Sequence, residues 1–244
     1  YDITTTADGA TSVRVADIDN DGDLDIVATS GRDGTVAWYE NDGASSPSFT
    51  ENNITTSFSG AKNADLVDID SDGDIDIIIA SESASTIAWY ENDGAADPSW
   101  TASNIDTNAD GAWRVYVADM DGDGDLDIVS QSNLDNTIAW YENDGAADPS
   151  WTAADIDTNI NGGNGGWGGY IVAADMDGDS DLDLVSTQNG TTVWYENDGA
   201  SDPSWTVATI STLSFASIHV TDMDNDGDLD IVAPYWSAIH YYEN

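Results

Sequence analysis

Five stretches of the chain place Asp at every second position over nine residues: 17–25, 68–76, 119–127, 175–183 and 222–230. The first reads Asp17, Asp19, Asp21, Asp23 and Asp25, and the second Asp68, Asp70, Asp72, Asp74 and Asp76. The third has Asp119, Asp121, Asp123, Asp125 and Asp127, and the fourth Asp175, Asp177, Asp179, Asp181 and Asp183. The fifth has Asp222, Asp224, Asp226, Asp228 and Asp230. Short carboxylates at alternate positions of a tight loop can point inward together as hard oxygen donors. Calcium takes six to eight oxygens at about 2.3–2.6 Å, whereas magnesium prefers water-rich octahedra, so calcium is the better match. The sixth position is Gly in four copies, which permits a turn that a Cβ would strain. Ser180 stands there in the fourth copy, at a cost of roughly 1 kcal/mol if its φ is positive. That loop is expected to keep its ion but to be the weakest. An EF-hand loop begins similarly but requires Glu at position 12, where this chain has Ala28, Ile79, Ser130, Ser186 or Ala233. Five copies in register also argue against merely solvated acidic turns.

The loops start 51, 51, 56 and 47 residues apart. A second marker follows each: Trp38-Tyr39-Glu40-Asn41, Trp89-Tyr90-Glu91-Asn92, Trp140-Tyr141-Glu142-Asn143, Trp194-Tyr195-Glu196-Asn197 and Tyr241-Tyr242-Glu243-Asn244. Apolar residues alternate before each loop, as in Val13 and Val15 or Val115 and Val117, which is the period of a strand. A β-rich run such as Ile75 to Ile79 comes after it, then the Trp-Tyr segment, an Asn-Asp-Gly turn, and a fourth strand such as Ser99 to Ile105. A repeat near 50 residues with four strands per unit predicts the blades of a β-propeller. The expected fold is therefore all-β, a single five-bladed propeller over residues 1–244 with four-stranded blades. The final repeat stops after its third strand, and Tyr1 to Thr5 align with fourth-strand ends such as Asn52 to Thr56. Ring closure by the N-terminal strand, completing the last blade, is therefore expected.

The pattern Asp-x-Asp-x-Asp-Gly-x-x-Asp between two strands resembles the FG-GAP/VCBS repeats of integrin-α-like propellers, and the resemblance covers all five repeats. It implies that side chains at loop positions 1, 3, 5 and 9 bind calcium together with the backbone carbonyl of position 7. Site one would then use Asp17, Asp19, Asp21, Asp25 and the Asp23 carbonyl, and the other loops their equivalents, for about five Ca2+ in all. The resemblance also implies adhesion or attachment at an extracellular surface.

Acidic residues number 48 against 4 basic ones, a formal charge of -44. Nucleic acid is excluded as a partner, because a phosphate backbone demands Lys and Arg. No apolar run reaches membrane-spanning length, so insertion into a bilayer is not expected. Five calcium ions would take the formal charge to -34 and relieve the worst local repulsion. Cysteine is absent. No nucleophile elbow, zinc-protease motif or phosphate loop is present, and His219 and His240 read as structural. The chain is not expected to be an enzyme.

Residues that do not repeat point to a ligand face opposite the acidic loops. Trp113, Trp167 and Trp236 fall in segments assigned to that side, with Arg32 and Arg114 in or beside them. Exposed aromatics with a few polar groups suit a protein or glycan partner. The expectation is a secreted, calcium-binding recognition or adhesion module. The alternatives are a lectin, and a structural subunit of a calcium-dependent surface filament or array formed by self-association.

Overall fold

The computed structural model describes residues 1–160, 169–188, 190–213 and 215–244. Among these residues there is no helix, and nineteen strands form five antiparallel sheets. The first sheet orders β1 (Ala10–Ala16), β2 (Asp25–Ser30), β3 (Thr35–Asn41) and β4 (Phe49–Thr55). The second repeats that order with β5 (Ala61–Val67), β6 (Asp76–Ser81), β7 (Thr86–Asn92) and β8 (Trp100–Asp106). The third holds β9 (Ala112–Ala118), β10 (Asp127–Ser132), β11 (Thr137–Asn143) and β12 (Trp151–Asp157). The fourth holds β13 (Ile171–Ala174), β14 (Asp183–Gln188), β15 (Thr191–Asn197) and β16 (Trp205–Ser211). The fifth has three strands, β17 (His219–Thr221), β18 (Asp230–Tyr235) and β19 (Ala238–Tyr242). Repeated up-and-down sheets of this kind are propeller blades.

Burial explains why the second strand of the second sheet reads as an apolar run from Ile77 to Ala80. All six residues of β6 are buried, so both faces of the strand are covered and alternation is lost. The fourth strand is the opposite case. In β8 four consecutive residues, Thr101 to Asn104, are exposed, and the polar side chains of Thr101, Ser103 and Asn104 suit a sheet edge.

The chain divides into two compact units, residues 1–115 with 145–151 and residues 116–144 with 152–244. In the first unit Ile18, Val27, Val36 and Trp38 of one sheet pack against Ala64, Ile77, Ile79 and Leu66 of the next. The second unit repeats this contact twice. Met120, Val129, Ile138 and Trp140 meet Ile171 and Ala173, and Met176, Val185 and Trp194 meet Ile218 and Val220.

The expected closing strand does not form. Residues 1–9 contain no strand, and the fifth sheet keeps three strands rather than four. Instead the Tyr1 hydroxyl donates to the Pro47 carbonyl at 3.0 Å and Thr4 Oγ1 to Glu51 at 3.4 Å, along the first sheet's outer strand. A physical reason lies in the pairing of fourth strands. Phe49, Trp100 and Trp205 each sit opposite the Asn that ends the third strand, namely Asn41, Asn92 and Asn197. The N-terminal segment has no aromatic residue for that position.

Candidate metal centres

Each acidic loop joins the first strand of a sheet to the second, and its backbone is organised around its own carboxylates. The first-position Asp accepts the sixth-position N–H in all five loops, at 3.0 Å from Gly22, 3.0 Å from Gly73, 3.1 Å from Gly124, 3.1 Å from Ser180 and 3.2 Å from Gly227. That bond requires left-handed backbone at position six. The glycines there have φ between 96° and 107°, and Ser180 has φ 85°. The conformational cost expected at Ser180 is therefore present. Position four is also left-handed, at Asn20, Ser71, Gly122, Gly178 and Asn225. Sequence reasoning missed this second turn, although Asn and Gly are the residues that tolerate it best.

Carboxylate oxygens converge in every loop. Asp17, Asp19 and Asp25 place ligand atoms within 4.8 Å of one another, as do Asp119, Asp121 and Asp127, and Asp222, Asp224 and Asp230. In the loops 68–76 and 175–183 the third member is position five: Asp68, Asp70 and Asp72, and Asp175, Asp177 and Asp179. The donor set is all oxygen and all carboxylate, which fits a hard divalent cation. Burial, aided by the neighbouring carboxylates, pushes the third-position carboxyls of Asp19, Asp70 and Asp121 above the usual range. Such crowding is what a bound cation would relieve.

The ninth position has a second duty. Asp25 Oδ1 accepts the Asn41 N–H at 2.8 Å, and its Oδ2 accepts the Ile18 N–H at 3.2 Å. Asp76, Asp127 and Asp183 do the same with Asn92, Asn143 and Asn197 and with Ile69, Met120 and Met176. These aspartates are buried. Burial pushes the Asp76 carboxyl up to about 7 and that of Asp127 up to about 6. In the last sheet, Tyr241 stands where the others have Trp and donates its hydroxyl to Asp230 at 3.0 Å.

The seventh position faces the turn after the third strand. Asp23, Asp74 and Asp181 lie so close to Gly43, Gly94 and Gly199 that a Cβ on any of these glycines would collide with the carboxylate. The Asn-Asp-Gly turns and the acidic loops thus lie side by side, as the topology of the repeat predicts.

Of the residues assigned to a ligand face, Trp113 is half-buried in β9, with Lys62 Nζ 4.4 Å from its ring centroid. Lys62 also pairs with Glu82 at 2.8 Å. Arg32 is exposed and pairs with Asp8 at 3.5 Å, and Arg114 is half-buried. Trp167 lies outside the described residues. Trp236 is 94% exposed at the turn between β18 and β19, with φ 51°. The corresponding turns use Gly34, Ser85, Asn136 and Gly190 in left-handed backbone.

Two solved structures share the fold. An Agrocybe aegerita lectin, recognising non-reducing terminal N-acetylglucosamine, is similar with a TM-score of 0.63 and 20% identity, over 95% of this chain and 62% of its own. A Bacillus licheniformis rhamnogalacturonan lyase is similar with a TM-score of 0.54 and 15% identity, over 96% of this chain and 48% of its own. The chain spans less than two thirds of either. No curated protein matches it. The FG-GAP-like repeat matches at residues 17–79, 68–130, 121–186 and 175–233, each match running from one acidic loop through the next. With the loops, their spacing and the blade sheets in agreement with those matches, the chain belongs to the FG-GAP-like repeat family.

Proposed function

We propose that this chain is a calcium-binding recognition module of an extracellular surface, a single repeat domain over residues 1–244 with no catalytic role. Asp17, Asp19, Asp21 and Asp25 with the Asp23 carbonyl would hold one ion, and the matching residues of the other four loops would hold the rest. The ions would tie the first and second strands of each blade together and offset local charge. Extracellular loops of this kind often bind calcium at about 10⁻⁴–10⁻³ M, which suits a calcium-rich exterior.

The observation that carries the recognition role is Trp236. A large aromatic side chain at 94% exposure, in backbone that disfavours any Cβ, adds to the packing of its own sheet only an edge contact with Tyr235. Strained and exposed aromatics of this sort are characteristic of binding positions. A stacking surface for a sugar ring, or an anchor for a protein partner, is the chemistry Trp236 offers. The Trp113 ring, already covered on one face by Lys62, would contribute less.

The test is a binding screen in calcium against immobilised glycans, including those ending in N-acetylglucosamine, and against extracellular-matrix proteins. Wild-type chain is expected to bind a subset, and Trp236→Ala to lose that binding with an unchanged melting temperature. Binding that survives Trp236→Ala in full, or no binding to either panel, would remove the recognition role.

A further inference from the structure

We propose that the first two acidic loops are a coupled pair of calcium sites, with Asn20 as the positioning residue between them. The coupling rests on the reading of these loops as calcium sites and adds how one acts on its neighbour. Both loops lie in the unit formed by residues 1–115 with 145–151. Asn20 is the fourth residue of the first loop, between Asp19 and Asp21. Its side-chain amide crosses to the second loop and donates to Asp74 Oδ1 at 2.7 Å. Asp74 is the seventh residue there, the one whose backbone carbonyl would be a ligand. The other oxygen of its carboxylate faces Gly94, in the turn after β7. The Asp74 carboxylate is thus held between the neighbouring loop and that turn. In a chain of formal charge -44, a neutral amide joins the two loops without adding to their repulsion.

The backbone of Asn20 makes this contact depend on the first ion. Its φ is 58°, a left-handed conformation that Asn tolerates. Its two chain neighbours, Asp19 and Asp21, are both ligands in the proposed set. An ion held by them would fix the backbone on either side of residue 20, and so the direction of its amide. The contact with Asp74 is then already ordered when the second ion arrives, and the second loop gives up less freedom on binding. By linkage the effect is mutual, so an ion in the second loop raises the affinity of the first by the same factor. The bond from Asn92 to the Ile18 carbonyl also joins the two loops, but it recurs from Asn197 to Met120 and belongs to the repeat. The Asn20 bond is different. Position four of the next three loops is Ser71, Gly122 and Gly178, none of which carries an amide. Asn20 is exposed, which places the coupling at the lower end of the usual range, about fivefold in affinity.

Calcium titration of the full chain, followed by nuclear magnetic resonance of the Gly22 and Gly73 amides, reads the two loops separately. Each amide bonds the first carboxylate of its own loop. Asp17→Asn weakens the first loop, and the calcium midpoint read at Gly73 is then expected to rise about fivefold. Asn20→Gly keeps the left-handed turn and removes the amide. With Asn20→Gly present, adding Asp17→Asn should move the Gly73 midpoint much less. The charge lost at Asp17 acts alike in both backgrounds, so the difference between them is the coupling. A Gly73 midpoint indifferent to Asp17→Asn would overturn the coupling and leave the metal sites standing. So would an equal shift with and without Asn20, which is what a merely structural Asn20 predicts. Amides that do not respond to calcium at all would remove the sites themselves, and the coupling with them.

Discussion

The side-chain amide of Asn92 donates to the Ile18 carbonyl at 3.0 Å across 74 positions of sequence, and to the nearer Ile75 carbonyl at 3.2 Å. Its own backbone N–H is held by Asp76. One buried residue thus ties two acidic loops to the end of a third strand. Asn92→Ala leaves two carbonyls without this donor, and each such loss costs about 1–3 kcal/mol. The expected result in urea denaturation is a loss of roughly 2–4 kcal/mol, with weaker calcium binding in both loops. Asn41→Ala, at the half-exposed equivalent, should cost less.

Ser180→Gly should stabilise the chain. Ser180 holds φ 85° only because its N–H must reach Asp175 at 3.1 Å. Relief of the left-handed cost, about 1–2 kcal/mol, is partly offset by the added freedom of Gly in the unfolded chain, about 0.5–1 kcal/mol. A net gain of about 0.5–1 kcal/mol and a melting temperature higher by about 2–4 °C are expected. The fourth loop should also gain calcium affinity in a calorimetric titration. No gain in either would show that the strain is absorbed elsewhere.

These two predictions mark what sequence could and could not carry. The nine-residue loops were legible because their chemistry is local: five carboxylates at alternate positions need no distant partner to be recognised. Ser180 stood out for the same reason. Asn92 was read only as part of a repeated marker, because its function depends on the Ile18 carbonyl far away in sequence. Position four was hidden by its mixture of residues: Asn and Gly tolerate left-handed backbone, but Ser71 takes it without that tolerance, and the three types share no visible chemistry. The closing strand misled because length and polarity aligned while the aromatic opposite the third-strand Asn was missing. Trp113 read as an exposed aromatic, yet Lys62 lies across its ring.

Calcium removal should lower stability strongly. Three carboxylates lie within a 4.8 Å span in each of five loops, so the folded chain concentrates charge that the unfolded chain spreads out. An ion bound only by the folded state stabilises by about 2.7 kcal/mol per site at a hundredfold excess over its Kd. Excess EGTA is expected to lower the melting temperature by many degrees, and added calcium to restore it. An unchanged melting curve would reject the metal sites.

The pH dependence should change sign with calcium. Burial holds the Asp76 and Asp127 carboxyls at about 7 and about 6, above the unfolded value of 3.8. Between those values the folded chain carries more protons than the unfolded one, so stability in chelator should fall as pH rises from about 4 to 7. With saturating calcium the ligands must be deprotonated, and stability should rise over the same window. Melting temperatures across that range, with EGTA and with calcium, are the measurement. Asp76→Asn should flatten the fall in EGTA, because the amide cannot titrate.

Trp236→Gly should separate binding from folding. Gly34 and Gly190 occupy the matching turns, and Trp236 holds φ 51° with its ring edge-on to Tyr235 at 6.5 Å. Substitution removes the left-handed cost of a Cβ, about 1–2 kcal/mol, and gives up only a peripheral ring contact and some backbone entropy. The chain should be unchanged or stabilised by up to about 1 kcal/mol, while any glycan or protein bound by wild type is released. A structural role for the ring predicts the reverse: lower stability in urea with binding retained. The two measurements together therefore decide whether strain at residue 236 is kept for the partner or for the hairpin.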